Sequence, residues 1–255
     1  MPEGEARLPV TDEGLLRGDG VFEVIRLYGG VPFALDDHLA RMDRSAAGLR
    51  LELDTADVRA DIDTLLAAAR PGDGLVRVLV TRGGHRVTLL EDLHEPPDTT
   101  ALGIVEYTPT RVLDGIKSLS YAANRLASRL AIERGFDEAL LVTPHGRVLE
   151  GPTSSFFCVI EGELVTPPLG EHVLDSITRR RVRAATGAAE RILARDDIAR
   201  MTGAFLASTI REVQPVSRIE DHELDPSDPV VMDAARRTAD LIVAEVARGP
   251  APAAP

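Results

Sequence analysis

The order in which short β-rich runs alternate with helical periodicities is what most restricts the fold of this chain. Residues 21–28, rich in β-branched and aromatic side chains, lead through Gly29-Gly30 into residues 31–35, the pattern of a hairpin. Asp36 or Asp37 can cap a helix carrying Leu39, Met42, Ala46 and Leu49 at helical spacing, and a second helix is predicted over 55–69. Pro71-Gly72-Asp73-Gly74 ends it. Strands are then predicted at 75–81 and 86–90 around Gly83-Gly84, and at 102–107 after the break at Glu95-Pro96-Pro97-Asp98. The polar stretch 108–115 precedes a helix predicted over 118–134, which stops at Gly135. Four short strands follow at 138–143, 147–150, 155–160 and 163–166, then a helix at 176–185, a short one at 197–201, a strand at 204–209 and a last helix at 229–248. The pattern is α+β in two domains. A small N-terminal α/β domain is expected over 1–107, a connection over 108–116, and a larger domain with a mostly β core and flanking helices over 117–248. The Gly/Pro/Ala tail 249–255 is expected to be disordered.

Composition excludes several function classes. With 29 Lys+Arg against 41 Asp+Glu the formal charge is −12, so no general basic surface is available for phosphates, and no nucleic-acid partner is expected. The longest apolar runs, such as residues 156–160, are strand-sized, and the chain opens without a basic-then-apolar leader; no membrane partner and a cytoplasmic location are expected. Cys158 is the sole cysteine and the six histidines are scattered, so neither an intrachain disulfide nor a metal site is expected.

One count points towards chemistry. Lys117 is the only lysine, so the other 28 cations are arginines. A composition bias could have left it by chance. Its side chain can nevertheless do what Arg cannot: lose its proton and attack a carbonyl to form a Schiff base. A carbonyl cofactor held there needs a phosphate clamp, a partner for an electron-withdrawing ring and a route for protons.

Six blocks supply candidates for these roles. They are Arg17-Gly18-Asp19-Gly20-Val21-Phe22-Glu23, His38-Leu39-Ala40-Arg41, Ile116-Lys117-Ser118-Leu119-Ser120-Tyr121, Val148-Leu149-Glu150-Gly151 with Ser154-Ser155-Phe156-Phe157, Ser176-Ile177-Thr178-Arg179, and residues 208–216. In this order they resemble the fold-type IV (class IV) pyridoxal-phosphate-dependent aminotransferases, over about residues 11–216. That family includes D-amino-acid aminotransferases, branched-chain aminotransferases and aminodeoxychorismate lyases.

The resemblance implies pyridoxal 5'-phosphate as cofactor, with Lys117 as the Schiff-base and proton-shuttling lysine and Glu150 facing the pyridine nitrogen. It implies Arg41, Ile177, Thr178, Ser208 and Thr209 on the phosphate side. Tyr121 is a further cofactor candidate, equally readable as a packed helix residue, and Arg179-Arg180-Arg181 reads as a solvated helix face. Residues 21–30 and Val80-Thr81-Arg82-Gly83 look most like the D-amino-acid branch, which makes Arg26, Arg82, His85 and Arg86 candidates for the substrate carboxylate. The Arg-x-His trap of that branch is not matched, since Val87 and Leu89 stand in its place.

The implied activity is transamination from a D-amino acid to a 2-keto acid such as 2-oxoglutarate by a homodimer whose active sites borrow residues from the partner. The alternatives are an aminodeoxychorismate lyase releasing 4-aminobenzoate and pyruvate, a branched-chain L-amino-acid aminotransferase, and a non-catalytic cofactor-binding protein.

Overall fold

The computed structural model describes residues 5–248. The described chain forms two compact units, one of residues 5–94, 116–121 and 245–248, the other of residues 95–115 and 122–244. In the first, β1 (Gly20–Tyr28), β2 (Val31–Pro32), β3 (Gly74–Thr81) and β4 (Arg86–Glu91) make an antiparallel sheet in the order β2-β1-β3-β4. Tyr28 pairs with Val31, which leaves Gly29 and Gly30 as a two-residue turn at φ 55° and 83°. Both left-handed positions are what a hairpin matching the sheet twist demands, and glycine supplies them without strain.

Alternation along β1 and β3 sends Val21, Ile25, Leu27, Val76, Val78 and Val80 to one face. Helix α2, formed by Leu35–Gly48, lays Leu35, Leu39, Met42 and Ala46 on that face, and α3 (Thr55–Ala69) adds Val58 and Ile62. Each buried aliphatic side chain contributes roughly 1.5–3 kcal/mol relative to exposure.

The second unit is built on β5 (Thr100–Glu106), β6 (Glu138–Val142), β7 (Arg147–Val148), β8 (Ser155–Ile160), β9 (Glu163–Thr166), β10 (Ala189–Glu190), β11 (Leu193–Ala194), β12 (Met201–Ser208), β13 (Glu212–Ile219) and β14 (His222–Glu223). They form one mixed sheet in the order β10-β9-β8-β12-β13-β5-β6-β7-β11, with β14 on β13. Its helices are α4 (Ala122–Glu133), α5 (Ile177–Thr186) and α6 (Pro229–Arg248) up to residue 244.

Both faces of the central strands are covered. Phe156, Cys158 and Ile160 enter one core cluster, while Phe157 and Val159 join Val182 of α5 and Val231 and Ala234 of α6 in another. That is why residues 156–160 read as an unbroken apolar run rather than an alternating one. Cys158 is buried among these side chains, and burial raises its thiol well above the usual range, so it is inert packing.

Several expectations change. The strand expected at 102–107 belongs to the larger sheet, because β5 pairs in parallel with β6 and β13; the units part at residue 94, and the lysine segment 116–121 belongs with the first unit. The helix expected from residue 118 begins at Ala122. The strand β13 was not anticipated, and neither was the short helix α1 (Glu13–Arg17), which Asp12 caps by accepting from the Gly14 N–H at 2.8 Å. The expected 249–255 tail lies outside the described residues.

Candidate active site

In the first unit the lysine segment runs beside the start of β1. The Phe22 N–H donates to the Lys117 carbonyl (3.2 Å), the Leu119 N–H to the Gly20 carbonyl (2.8 Å), and Val21 and Ser118 form an isolated antiparallel bridge. A Cβ on Gly20 would lie 2.4 Å from the Val80 carbonyl oxygen and 2.7 Å from Leu119 Cδ1, so the Gly-Asp-Gly block lets three strands of chain approach closely. The Lys117 N–H donates to Ser45 Oγ of α2 at 3.1 Å.

With its backbone fixed in this way, Lys117 Nζ sits 4.3 Å from the Phe22 ring centroid and 5.8 Å from that of Tyr121. The two rings meet edge to face at 5.2 Å. Tyr121 therefore lines the lysine from a loop rather than from a helix. Arg26, four residues from Phe22 along β1, shares its face, and its guanidinium lies 4.7 Å from the Tyr28 centroid.

The opposite, core-facing side of β1 carries Glu23 between Val21 and Ile25, 1% exposed. Arg41 donates from Nε (2.7 Å) and Nη2 (2.6 Å) to its two oxygens, and His38 Nδ1 lies 2.8 Å from Oε2. Burial alone would raise the Glu23 carboxyl, but the Arg41 charge and the bonds from Arg41 and His38 hold it down at about 2. Burial pushes the His38 imidazole down, the charges of Arg41 and Lys117 add to this, and Glu23 opposes it. His38 is neutral, and its buried Nε2 has no hydrogen-bond partner. The sequence signal for Glu23 was a carboxylate at a core position of an alternating strand.

Three of the four substrate candidates are braced inside this unit. Arg82 forks onto Asp19 (3.0 and 3.2 Å) and donates to the carbonyls of Leu49 and Arg50. Arg86 bonds Asp57 and Asp61 of α3. His85 Nδ1 lies 2.6 Å from Asp12 Oδ2, which also accepts from the Thr81 hydroxyl at 2.8 Å.

In the second unit, Glu150 follows β7 and accepts from the Leu174 N–H at 3.0 Å. Tyr107 is close enough that burial and the Glu150 charge together raise its phenol. Gly151 and Ser154 close a turn after Glu150 (Gly151 N–H to Ser154 carbonyl, 2.8 Å), and a Cβ on Gly151 would stand 2.7 Å from Ser154 Oγ. The hydroxyls of Ser154 and Ser155 are buried without a hydrogen-bond partner. Ser176 caps α5, accepting from the Arg179 N–H at 3.3 Å, so Ile177 and Thr178 occupy its first turn and Thr178 is buried. Arg179 is not on a solvated face: it is 2% exposed and bonds the Pro167 carbonyl (2.9 Å) and Glu190 (2.6 Å). Ser208 ends β12, its Oγ accepting from the Arg211 N–H at 3.2 Å, with Thr209 next in the turn to β13.

Among the described residues no helix is long and apolar enough to cross a membrane, and no group of three or more His, Cys, Asp or Glu could hold a metal.

A sequence model of the amino-transferase class IV family matches residues 20–219. A putative branched-chain-amino-acid aminotransferase of Methanocaldococcus jannaschii is 33% identical, covering 86% of this chain and 85% of its own. A D-alanine aminotransferase of Bacillus licheniformis is 28% identical (90% and 89% covered), and an aminodeoxychorismate lyase of Bacillus subtilis 29% (87% and 84%). Among solved structures, a fold IV-transaminase from Curtobacterium pusillum superposes with a TM-score of 0.84 at 28% identity, covering 94% of this chain and 92% of the other.

Proposed function

The chain belongs to the class IV aminotransferases, enzymes that work with pyridoxal phosphate, and we propose that it moves the amino group of a D-amino acid to a 2-keto acid such as 2-oxoglutarate. The observation that carries this reading is the placement of the only lysine: its amine is fixed against Phe22 and Tyr121 on the face of β1 that also presents Arg26. The residues fit the cofactor. Two buried serine hydroxyls beside Glu150 lack partners, and the donors at the α5 N-terminus and at Ser208 and Thr209 suit a phosphate.

When bound, pyridoxal phosphate supplies an electron sink for the pair left as the substrate Cα–H bond breaks. Lys117 Nζ would hold the cofactor through its carbonyl carbon and, once a substrate amine had replaced it there, would be the free amine that takes up the proton from substrate Cα. Glu150 would be the carboxylate to keep the pyridine nitrogen protonated. In the second unit Thr178, Ser208, Thr209 and the α5 backbone N–H groups would be donors for the phosphate; in the first unit Arg41, whose orientation Glu23 sets, would be a further one. Arg26 is the candidate for the substrate carboxylate, because it shares the face of β1 on which Phe22 meets Lys117 Nζ.

The internal pairs of Arg82, His85 and Arg86, with the 33% identical relative, favour a second reading in which the donor is a branched-chain L-amino acid. Absorption spectra of the cofactor-loaded enzyme separate the two. Loss of the near-visible cofactor band with D-alanine and its return with 2-oxoglutarate is the expected result. Loss only with L-leucine or L-valine replaces it with the second reading. An unchanged band with both, accompanied by pyruvate and 4-aminobenzoate from aminodeoxychorismate, makes the enzyme a lyase.

A further inference from the structure

The turn that joins β12 to β13 is held from behind by a buried polar network that the chemistry above does not use. Ser208 pairs with Glu212, so Thr209, Ile210 and Arg211 form the loop, and Glu212 takes a positive φ of 52°. Arg211 folds back under this loop. Its Nη2 donates to Glu138 Oε2 at 3.1 Å, and its Nη1 donates to Gln214 Oε1. Glu138, 6% exposed at the start of β6, uses Oε1 to accept from Ser128 Oγ of α4 (2.7 Å) and from the Ala139 N–H (3.0 Å). Gln214, 2% exposed, donates from Nε2 to the Pro97 carbonyl at 2.7 Å.

The loop is thus tied through one guanidinium to β6, α4, β13 and the segment before β5. A buried ion pair is a weak device for stability, because packed apolar residues of the same volume serve as well; its attested use is to specify one conformation. Here the conformation specified is that of the loop beginning with Ser208 and Thr209.

We propose that Arg211 and Glu138 are positioning residues that preorganise the Ser208–Thr209 turn for the phosphate of the cofactor; the inference rests on the reading of those two residues as phosphate ligands. Ordering the loop before binding removes that cost from binding itself. The two charges give opposite field effects, which makes the inference separable from simple electrostatics. Glu138→Gln removes a negative charge, so a field effect alone strengthens anion binding. Positioning gives the reverse, because a carboxamide cannot accept from Ser128, the Ala139 N–H and Arg211 together.

Equilibrium dialysis of cofactor-stripped, full-length enzyme with pyridoxal phosphate and with pyridoxal, which lacks the phosphate, tests this. In the wild type the phosphate ester binds more tightly. In Glu138→Gln and in Arg211→Met its affinity is expected to fall roughly 10–100-fold, the range seen when groups supporting a ligand-holding residue are removed, while that of pyridoxal changes less than about 3-fold. Arg211→Lys, which keeps the charge but cannot bridge Glu138 and Gln214 at once, is expected between wild type and Arg211→Met, and it decides the matter if the other variants do not fold. Equal losses for both compounds, or unchanged or tighter phosphate-ester binding in Glu138→Gln, overturn the inference. A wild type that binds both compounds equally overturns the phosphate reading as well, and that failure is visible before any variant is made.

Discussion

Lys117 is informative because its neighbours give it a use. A lone amine in an arginine-rich chain could be a remnant, but its amine is aimed at two aromatic rings by backbone bonds to Phe22 and Ser45. Lys117→Arg keeps the charge and removes the chemistry, so transamination is expected to fall by at least about 10³-fold, near the upper range for a lost acid–base group. A single-turnover assay of amine consumption checks it; activity within 10-fold of wild type refutes the assignment. Glu23 and His38 set the acid behaviour of the first unit. Glu23 is held at about 2 against an ordinary 4.5, so its contribution to stability is complete above pH 4.5 and is lost as pH falls toward 2. His38 is held neutral, below its ordinary 6.5, so its contribution is complete above pH 6.5 and shrinks as pH falls through that value. Both signs agree. The urea midpoint is expected to hold from pH 7.5 to about pH 6.5 and to drop from there to pH 3.5, and His38→Gln is expected to flatten the part between 6.5 and 4.5. Lysine chemistry could be read from residue type alone. The roles of Arg82 and Arg86 could not, because the carboxylates that occupy them lie far away in sequence, at Asp19, Asp57 and Asp61.

At the scale of elements, legibility followed local signals. The α5 helix was readable because Ser176 precedes the periodic residues, and the structure uses it as the cap. Ser176→Ala is expected to cost about 1 kcal/mol of stability and, since the same turn is read as a phosphate site, to weaken pyridoxal phosphate more than pyridoxal. Urea unfolding with and without cofactor measures both effects; equal stabilities of variant and wild type deny the cap its role. By contrast β13 carries Pro215, and its aliphatics Val213, Val216 and Ile219 recur at every third position rather than alternating, so nothing local marks it as a strand. It exists because β12 and β5 claim its two edges. Pro215 is tolerated where it stands, opposite Phe205 and one residue before the ladder with β5 begins at Val216. The start of α4 was misplaced for a related reason: the bridge between Ser118 and Val21 draws the backbone of residues 118–121 along β1.

The division of the whole molecule was hardest to read, since a boundary drawn along the sequence cannot show that β5 pairs with strands formed more than 30 residues later. Pairing of this kind also leaves apolar helix residues exposed to water. Leu126 and Leu130 lie one turn apart on one face of α4, 51% and 41% exposed. A pair of large aliphatics left in water is costly, at about 25 cal/mol per Å² of apolar surface left uncovered. The net charge of −12 opposes unspecific clustering, so a defined, closed contact is the form of association that fits. We expect the enzyme to sediment at twice the 27.4 kDa chain mass. Leu126→Glu combined with Leu130→Glu is expected to shift it to the chain mass itself with its far-ultraviolet circular dichroism unchanged. A wild type that sediments as a monomer at micromolar concentration refutes the dimer, and a double variant that remains dimeric places the contact on a surface other than α4.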